Sequence, residues 1–260
     1  MVWNIDPVLV SIGPLSIRYY GVCFMLAFLL GYCLMGWIYR KEDKPIQDLD
    51  SLLTYVFFGT LIGARLGHVL FYQPDYYFSR PTEILKIWQG GLASHGAAIG
   101  ICVALYLFSR KCPQQNFMWV MSRGCIIVAL AGFFIRLGNF FNSEIYGVYT
   151  TLPWAVTFLQ VDSVPRHPTQ LYESLSYLLI FSLLLAYYNK YRAQVNAHMM
   201  LGFFFTSVFS ARFLLEFTKD FQADFEQTLP LHMGQILSIP LIALGVVLMV
   251  VGSKCCRRNC

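Results

Sequence analysis

Seven long apolar stretches constrain this chain more than anything else in it. They run at about 18–38, 51–72, 95–109, 118–138, 170–189, 198–217 and 233–252, and most approach the roughly 20 residues a helix needs to cross a hydrocarbon core. The third is the shortest. Because the runs are continuous, helix is expected; a membrane barrel would show alternating segments of about ten residues. A hydrophobic share of 57%, a charged share of 13% and a mean hydropathy of +0.55 exclude an ordinary soluble domain, where about a quarter of residues are charged. The expected fold is an all-α polytopic membrane protein: a single integral membrane domain over 1–260 with about seven transmembrane helices. A small extracytoplasmic cap over 139–169 is expected between the fourth and fifth spans, with a short strand near 154–161. Residues 1–13 lack a basic start and the first apolar run is long enough to remain as a span, so no cleavable signal peptide is expected.

Seven crossings would put the termini on opposite sides, and basic residues decide which side is cytoplasmic. One set of loops carries eleven (Arg40, Lys41, Lys44, Arg110, Lys111, Arg123, Lys190, Arg192, Lys254, Arg257, Arg258) and the other five (Arg18, Arg80, Lys86, Arg166, Lys219). The N-terminus is therefore expected outside and the C-terminus in the cytoplasm. The net charge of +5 is mostly this bias and does not point to nucleic acid. All eight cysteines fall in spans or on the cytoplasmic side, where thiols stay reduced, so no disulfide framework is implied. The tail Cys255, Cys256, Cys260 has no histidine and is not read as a metal site. No internal repeat and no Ser/Gly linker is found.

Arg65, Arg136 and Arg212 fall within spans, where a guanidinium cannot shed its proton and needs anionic or polar company. Asn139 and Asn142 follow Arg136 at three-residue steps, placing the three roughly on one helix side. Three further clusters are expected at the same outer ends. One is Gly90, Gly91, Leu92, Ala93, Ser94, His95, Gly96. Another runs from Arg166 through His167, Pro168, Thr169, Gln170 and Tyr172 to Glu173, with Pro168 suited to the first turn of a helix. The last is Arg212 with Glu216, four residues apart and spaced to pair. Tyr20 stands at the outer edge of the first span. Each has a plain structural reading: an interfacial histidine, ordinary capping, an interhelical clamp, an aromatic anchor. Arg65, among Gly63, Ala64 and Gly67, could equally bury its charge against neighbouring carbonyls.

In order and spacing, the segments 17–21, 63–72, 88–96, 136–147, 166–173, 212–217 and 233–240 resemble the prolipoprotein diacylglyceryl transferase family of the bacterial inner membrane. Ile135 and Ala97 stand where the family usually has glycine, and Val208 where some members carry tyrosine. The resemblance implies transfer of the diacylglyceryl group of phosphatidylglycerol to the lipobox cysteine thiol of a preprolipoprotein. A thioether forms and glycerol phosphate leaves, as the first step of lipoprotein maturation. It implies Arg136 and Arg212 as the phosphate clamp and His95 as general base toward the thiol. Tyr20, Asn139, Asn142, Glu144, Gly147, Gln170 and Tyr172 would hold head group or substrate, and Glu216 would orient Arg212. No metal or organic cofactor is expected, and the partners are the two substrates and membrane lipid. Two other readings compete: a transporter or flippase for an anionic lipid, weakened by the missing repeat, and an assembly protein whose charges only lock helices.

Overall fold

The computed structural model describes residues 1–13, 15–87, 90–220 and 231–258. Trp88 and Gln89 of the glycine-pair segment, and Cys260 of the tail, lie outside the described residues. Among the described residues eight α-helices and five short strands follow one another: β1 (Val2–Trp3), β2 (Val8–Ile12), β3 (Leu15–Arg18), α1 (Tyr19–Lys41), α2 (Gln47–Phe71), α3 (Pro74–Ser79), α4 (Ser94–Lys111), α5 (Phe117–Phe141), β4 (Val156–Phe158), β5 (Pro165–Arg166), α6 (Thr169–Tyr191), α7 (Ala197–Leu215) and α8 (Met233–Arg258). Among the described residues six helices are long and apolar enough to cross a membrane: α1, α2, α5, α6, α7 with its 3-10 extension, and α8. The chain is thus mostly helical and multi-pass. α4, at 18 residues, is not among the six.

The side chains say what surrounds these helices. Met25, Phe58, Ile99, Leu175, Leu214 and Val247 are all more than half exposed, a pattern water would penalise at about 25 cal/mol per Å² and lipid would not. Arg123, expected in a loop, lies instead inside α5 and is buried.

The chain divides into two compact units, Met1–Met35 with Ser122–Cys260, and Gly36–Met121. In the second unit α2 and α4 meet backbone to backbone. Gly59, Gly63 and Gly67 on α2 face Gly96 and Gly100 on α4 so closely that a Cβ on Gly67 would sit 2.7 Å from the Gly96 Cα. Small residues four apart allow this approach, which dispersion rewards within lipid. A groove of about 630 Å³ runs along the seam, lined by residues such as Ile62, Leu66, Ile99 and Val103.

In the first unit α7 packs on α8 and α6 on α7. The segment between α5 and α6 contributes β4 and β5, which join β1 in a three-stranded sheet of order β1-β4-β5, parallel between β1 and β4 and antiparallel between β4 and β5. The strand expected over 154–161 is present over its middle only. A core of Trp3, Phe140, Val156 and Phe158 fastens this sheet onto the end of α5, with the Trp3 and Phe140 rings 4.3 Å apart. At its rim Arg166 grips Asp162 at 2.7 Å and Asp220 at 2.9 Å.

Candidate active site

Apart from Arg123 near the start of α5, the first unit gathers its buried charge where α5 and α7 end and where α1, α6 and α8 begin. Arg136, one and a half turns before the end of α5, places Nε 2.9 Å from Glu173 Oε2. The pairing is by distance, since the N–H is not aimed along the line to the oxygen. Its Nη1 donates to Asn139 Oδ1 at 3.2 Å, as the three-residue step from Arg136 suggests. Asn139 Nδ2 donates to Glu144 Oε2 at 3.2 Å, and Asn142 Nδ2 to Glu144 Oε1 at 3.3 Å. One chain of polar contacts therefore runs from the guanidinium to a carboxylate in the turn beyond the helix.

That turn is strained, and α6 holds it. Ser143 and Ile145 on either side of Glu144 have φ of 54° and 55°, and a β-branched residue in this region costs about 1–3 kcal/mol. Gln170 Nε2 donates to the Glu144 carbonyl at 2.6 Å and Thr169 Oγ1 to the Ile145 carbonyl at 2.8 Å. Gly147 follows, its amide donating to the His167 carbonyl at 2.9 Å. A Cβ there would crowd His167 and Thr169 at 2.6 and 2.7 Å, so only glycine passes between them. Asn142 Oδ1, Ser143 Oγ and Gln170 Oε1 are buried and accept nothing among the described residues, which leaves hydrogen-bonding capacity for a polar ligand.

Tyr177, one turn further along α6 than Glu173, is buried and lies within electrostatic range of Arg136 and Arg212. Tyr20 at the start of α1 packs against Gly138 and lies within electrostatic range of Arg136 and Glu144. Tyr172 points elsewhere: its hydroxyl accepts from Trp154 Nε1 at 2.8 Å and lies 3.2 Å from His167 Nδ1, in an aromatic layer of its own.

The expected Arg212 to Glu216 pair is replaced by another. α7 ends at Leu215, and Glu216–Thr218 form a 3-10 turn, in which residues three apart eclipse. Glu216 therefore meets Lys219, whose Nζ lies 2.9 Å from Glu216 Oε2 and 3.0 Å from Glu173 Oε1. Lys219, counted as an outer-loop charge, is instead 1% exposed. Gly234, in the first turn of α8, lets the Glu216 carboxyl settle where a Cβ would stand, and a helix N-terminus favours that negative charge. Glu173, Tyr177, Lys219 and Gly234 were not singled out as site residues, because their meeting joins α6, α8 and the turn after α7, and no local spacing encodes it.

In the second unit His95 is exposed at the second residue of α4 and has no hydrogen-bond partner among the described residues. Arg65 there donates to the carbonyls of Glu83, Ile84, Gly90 and Gly91 at 2.6, 2.9, 2.7 and 3.2 Å, and its guanidinium covers the Tyr77 ring at 4.9 Å. It is fully engaged in holding the loop before α4, the carbonyl-bound alternative open at sequence level.

A largely buried guanidinium and the polar chain leading from it are suited to hold an anion at the end of a helix bundle. The family model for prolipoprotein diacylglyceryl transferase matches residues 7–251. The chain belongs to that family. A diacylglyceryl transferase family member of Tolumonas auensis is 49% identical over 252 residues, covering 97% of both chains, and one of Chloroherpeton thalassium is 51% identical over 246 residues, covering 95% of this chain and 92% of the relative. A third, of Porphyromonas gingivalis, is 40% identical over 95% of this chain and 93% of its own. All three are named phosphatidylglycerol–prolipoprotein diacylglyceryl transferase.

Proposed function

We propose that the cluster around Arg136 is the centre at which this enzyme transfers the diacylglyceryl group of phosphatidylglycerol to the cysteine thiol of a prolipoprotein. The observation that carries the reading is the Arg136 guanidinium held by Glu173 and Asn139 at the head of a polar chain that reaches Glu144, in a chain that is about half identical over nearly its full length to transferases of that name. The step forms one bond, from sulfur to the saturated glycerol carbon, and breaks one, from that carbon to the phosphate oxygen. The thiol proton is lost to a base, and glycerol phosphate departs with one more negative charge than the phosphodiester had. Preorganised guanidinium forks stabilise the charge that grows on the leaving phosphate. Arg136 is held for this by Glu173 and Asn139. Tyr20, Asn139, Asn142, Glu144, Gly147 and Gln170 shape the surrounding wall. His95 is assigned to deprotonate the thiol, whose ordinary pKa is about 8.5; its exposure and lack of a partner leave the imidazole available. Tyr172 joins the aromatic layer with Trp154, a suitable edge for lipid or peptide.

The lipobox segment of the prolipoprotein is the second substrate, and both substrates arrive through the membrane. α4 is assigned as a seventh crossing on a parity argument. Tyr19 at the start of α1 stacks on Phe141 at the end of α5 at 4.7 Å, so these ends share a side. If α1, α2 and α5 each cross, one more crossing must lie between α2 and α5, and the 18 residues of α4 reach about 27 Å. The excess of basic residues then puts the N-terminus and the site on the periplasmic side, the C-terminus in the cytoplasm, and β4–β5 in an extracytoplasmic cap.

Purified protein incubated with phosphatidylglycerol and a lipobox peptide is expected to yield a peptide heavier by one diacylglyceryl group, with glycerol phosphate released in equal amount. A folded sample that moves lipid across a vesicle but leaves the peptide unmodified would establish the transporter reading instead.

A further inference from the structure

We infer that Lys219 is a positioning residue: an internal counter-ion that occupies Glu173 and Glu216 and so keeps Arg212 open for a lipid phosphate. The inference rests on the assignment of Arg212 as a phosphate ligand made above. Arg136, Arg212 and Lys219 lie at this end of the first unit with Glu173 and Glu216, and Glu144 stands beyond Asn139. Glu173 spends one oxygen on Arg136 at 2.9 Å and the other on Lys219 at 3.0 Å, and Glu216 takes Lys219 at 2.9 Å. Those four charges sum to zero. Arg212, four residues before Glu216, forms no ion pair among the described residues, although that spacing commonly supports one.

The backbone forces this choice of partner. The 3-10 turn eclipses Glu216 with Lys219, and the Lys219 amide donates to the Glu216 carbonyl at 3.1 Å. The same strand is pinned from outside: Val148 donates to the Thr218 carbonyl at 3.0 Å, and Gly147 bridges Lys219 in antiparallel fashion. With its backbone held against the 147–148 segment, the lysine has its ammonium inside, at 1% exposure, between two carboxylates that cannot both be satisfied without it. Remove the ammonium and Glu216 loses its one ion-pair partner among the described residues, keeping only the more distant field of Arg136, which Glu173 already holds. The nearest cation along its own helix is Arg212, and a buried carboxylate left alone is costly enough to recruit it. A guanidinium closed onto Glu216 is no longer free for phosphate.

Lys219→Met should therefore raise KM for phosphatidylglycerol about tenfold, the equivalent of losing one hydrogen bond to a charged group, with a smaller fall in kcat. Lys219→Arg should restore the wild-type KM. The double variant Lys219→Met with Glu216→Gln is the deciding one. A neutral amide in place of the Glu216 carboxylate does not compete for Arg212, so the double variant should recover most of the KM lost by Lys219→Met, whereas a lysine that merely props up the fold would give a double variant no better than the single. If Lys219→Met alone does not fold, the charge-balanced double variant is compared with Arg212→Lys: the inference expects a clearly lower KM in the double variant, and an equal or higher one overturns it. Arg212→Lys also separates the two failures. An unchanged KM in Arg212→Lys removes the phosphate-ligand assignment itself, while a raised KM there together with no recovery in the double variant removes only the role given to Lys219.

Discussion

Arg136 uses its guanidinium as a fork, with Nε toward Glu173 and Nη1 toward Asn139. An ammonium at the same place offers one nitrogen and cannot span both. Arg136→Lys should therefore lower turnover on the order of 100-fold, the usual consequence of removing one preorganised donor from a developing charge, while thermal unfolding moves little. Glu173→Gln should act on stability instead, because it strips a partner from Arg136 and from Lys219 together; a loss of about 3–5 kcal/mol is expected from breaking a buried pair, measured by thermal unfolding in detergent. For His95→Ala the expected result is a slower reaction that partly recovers as pH rises toward the thiol's own ionisation near 8.5. A rate equal to wild type at neutral pH would remove the base assignment. Some of this chemistry was legible at residue level. The three-residue step from Arg136 to Asn139 gives an actual hydrogen bond, and an intramembrane arginine announces its need for company. The Arg212 to Glu216 step misled although its helical spacing is kept, because the Glu216 carboxyl meets Lys219 and settles beside Gly234 instead.

Among the elements, the α2–α4 seam and the β4–β5 rim each make a prediction. Gly63 and Gly96 approach so closely that a side chain on either must part the helices. Gly63→Leu should cost more than the roughly 1–3 kcal/mol of ordinary overpacking, seen as a lower unfolding temperature. At the rim, hydrogen bonds from Arg166 and from the Val164 amide hold the Asp162 carboxyl below its usual pKa. A lowered folded pKa means the contact contributes fully above the unfolded value near 3.9 and is lost as pH falls through the lower folded value. Between pH 5 and 8 the Asp162 contribution should therefore be flat, and Asp162→Asn should remove it at all those pH values alike. The apolar spans were readable because lipid rewards continuous apolar sequence. The boundaries came within a few residues for α5 and α6. The sheet was read less fully: β1 pairs with β4 across more than 150 residues, a contact that no local pattern carries.

Across the whole molecule the family follows from the order of many polar segments spread along an apolar chain, and the comparison with transferases of known name agrees with it. The sequence reads as seven apolar spans, and among the described residues six helices are long and apolar enough to cross; the seventh, α4, is proposed as a crossing from which helix ends share a side. Reporter fusions after Arg80, before α4, and after Lys111, at its end, should accordingly report opposite sides of the membrane, and the same side for both would remove α4 as a crossing. The central claim is that guanidinium groups from α5 and α7 converge on one lipid phosphate. Its most direct measurement is the initial rate of glycerol phosphate release from phosphatidylglycerol, in the presence of a lipobox peptide, by wild type, Arg136→Lys and Arg212→Lys. The account predicts that both variants fold and that both release glycerol phosphate far more slowly than wild type at the same lipid concentration. Near-normal release by either folded variant would contradict it.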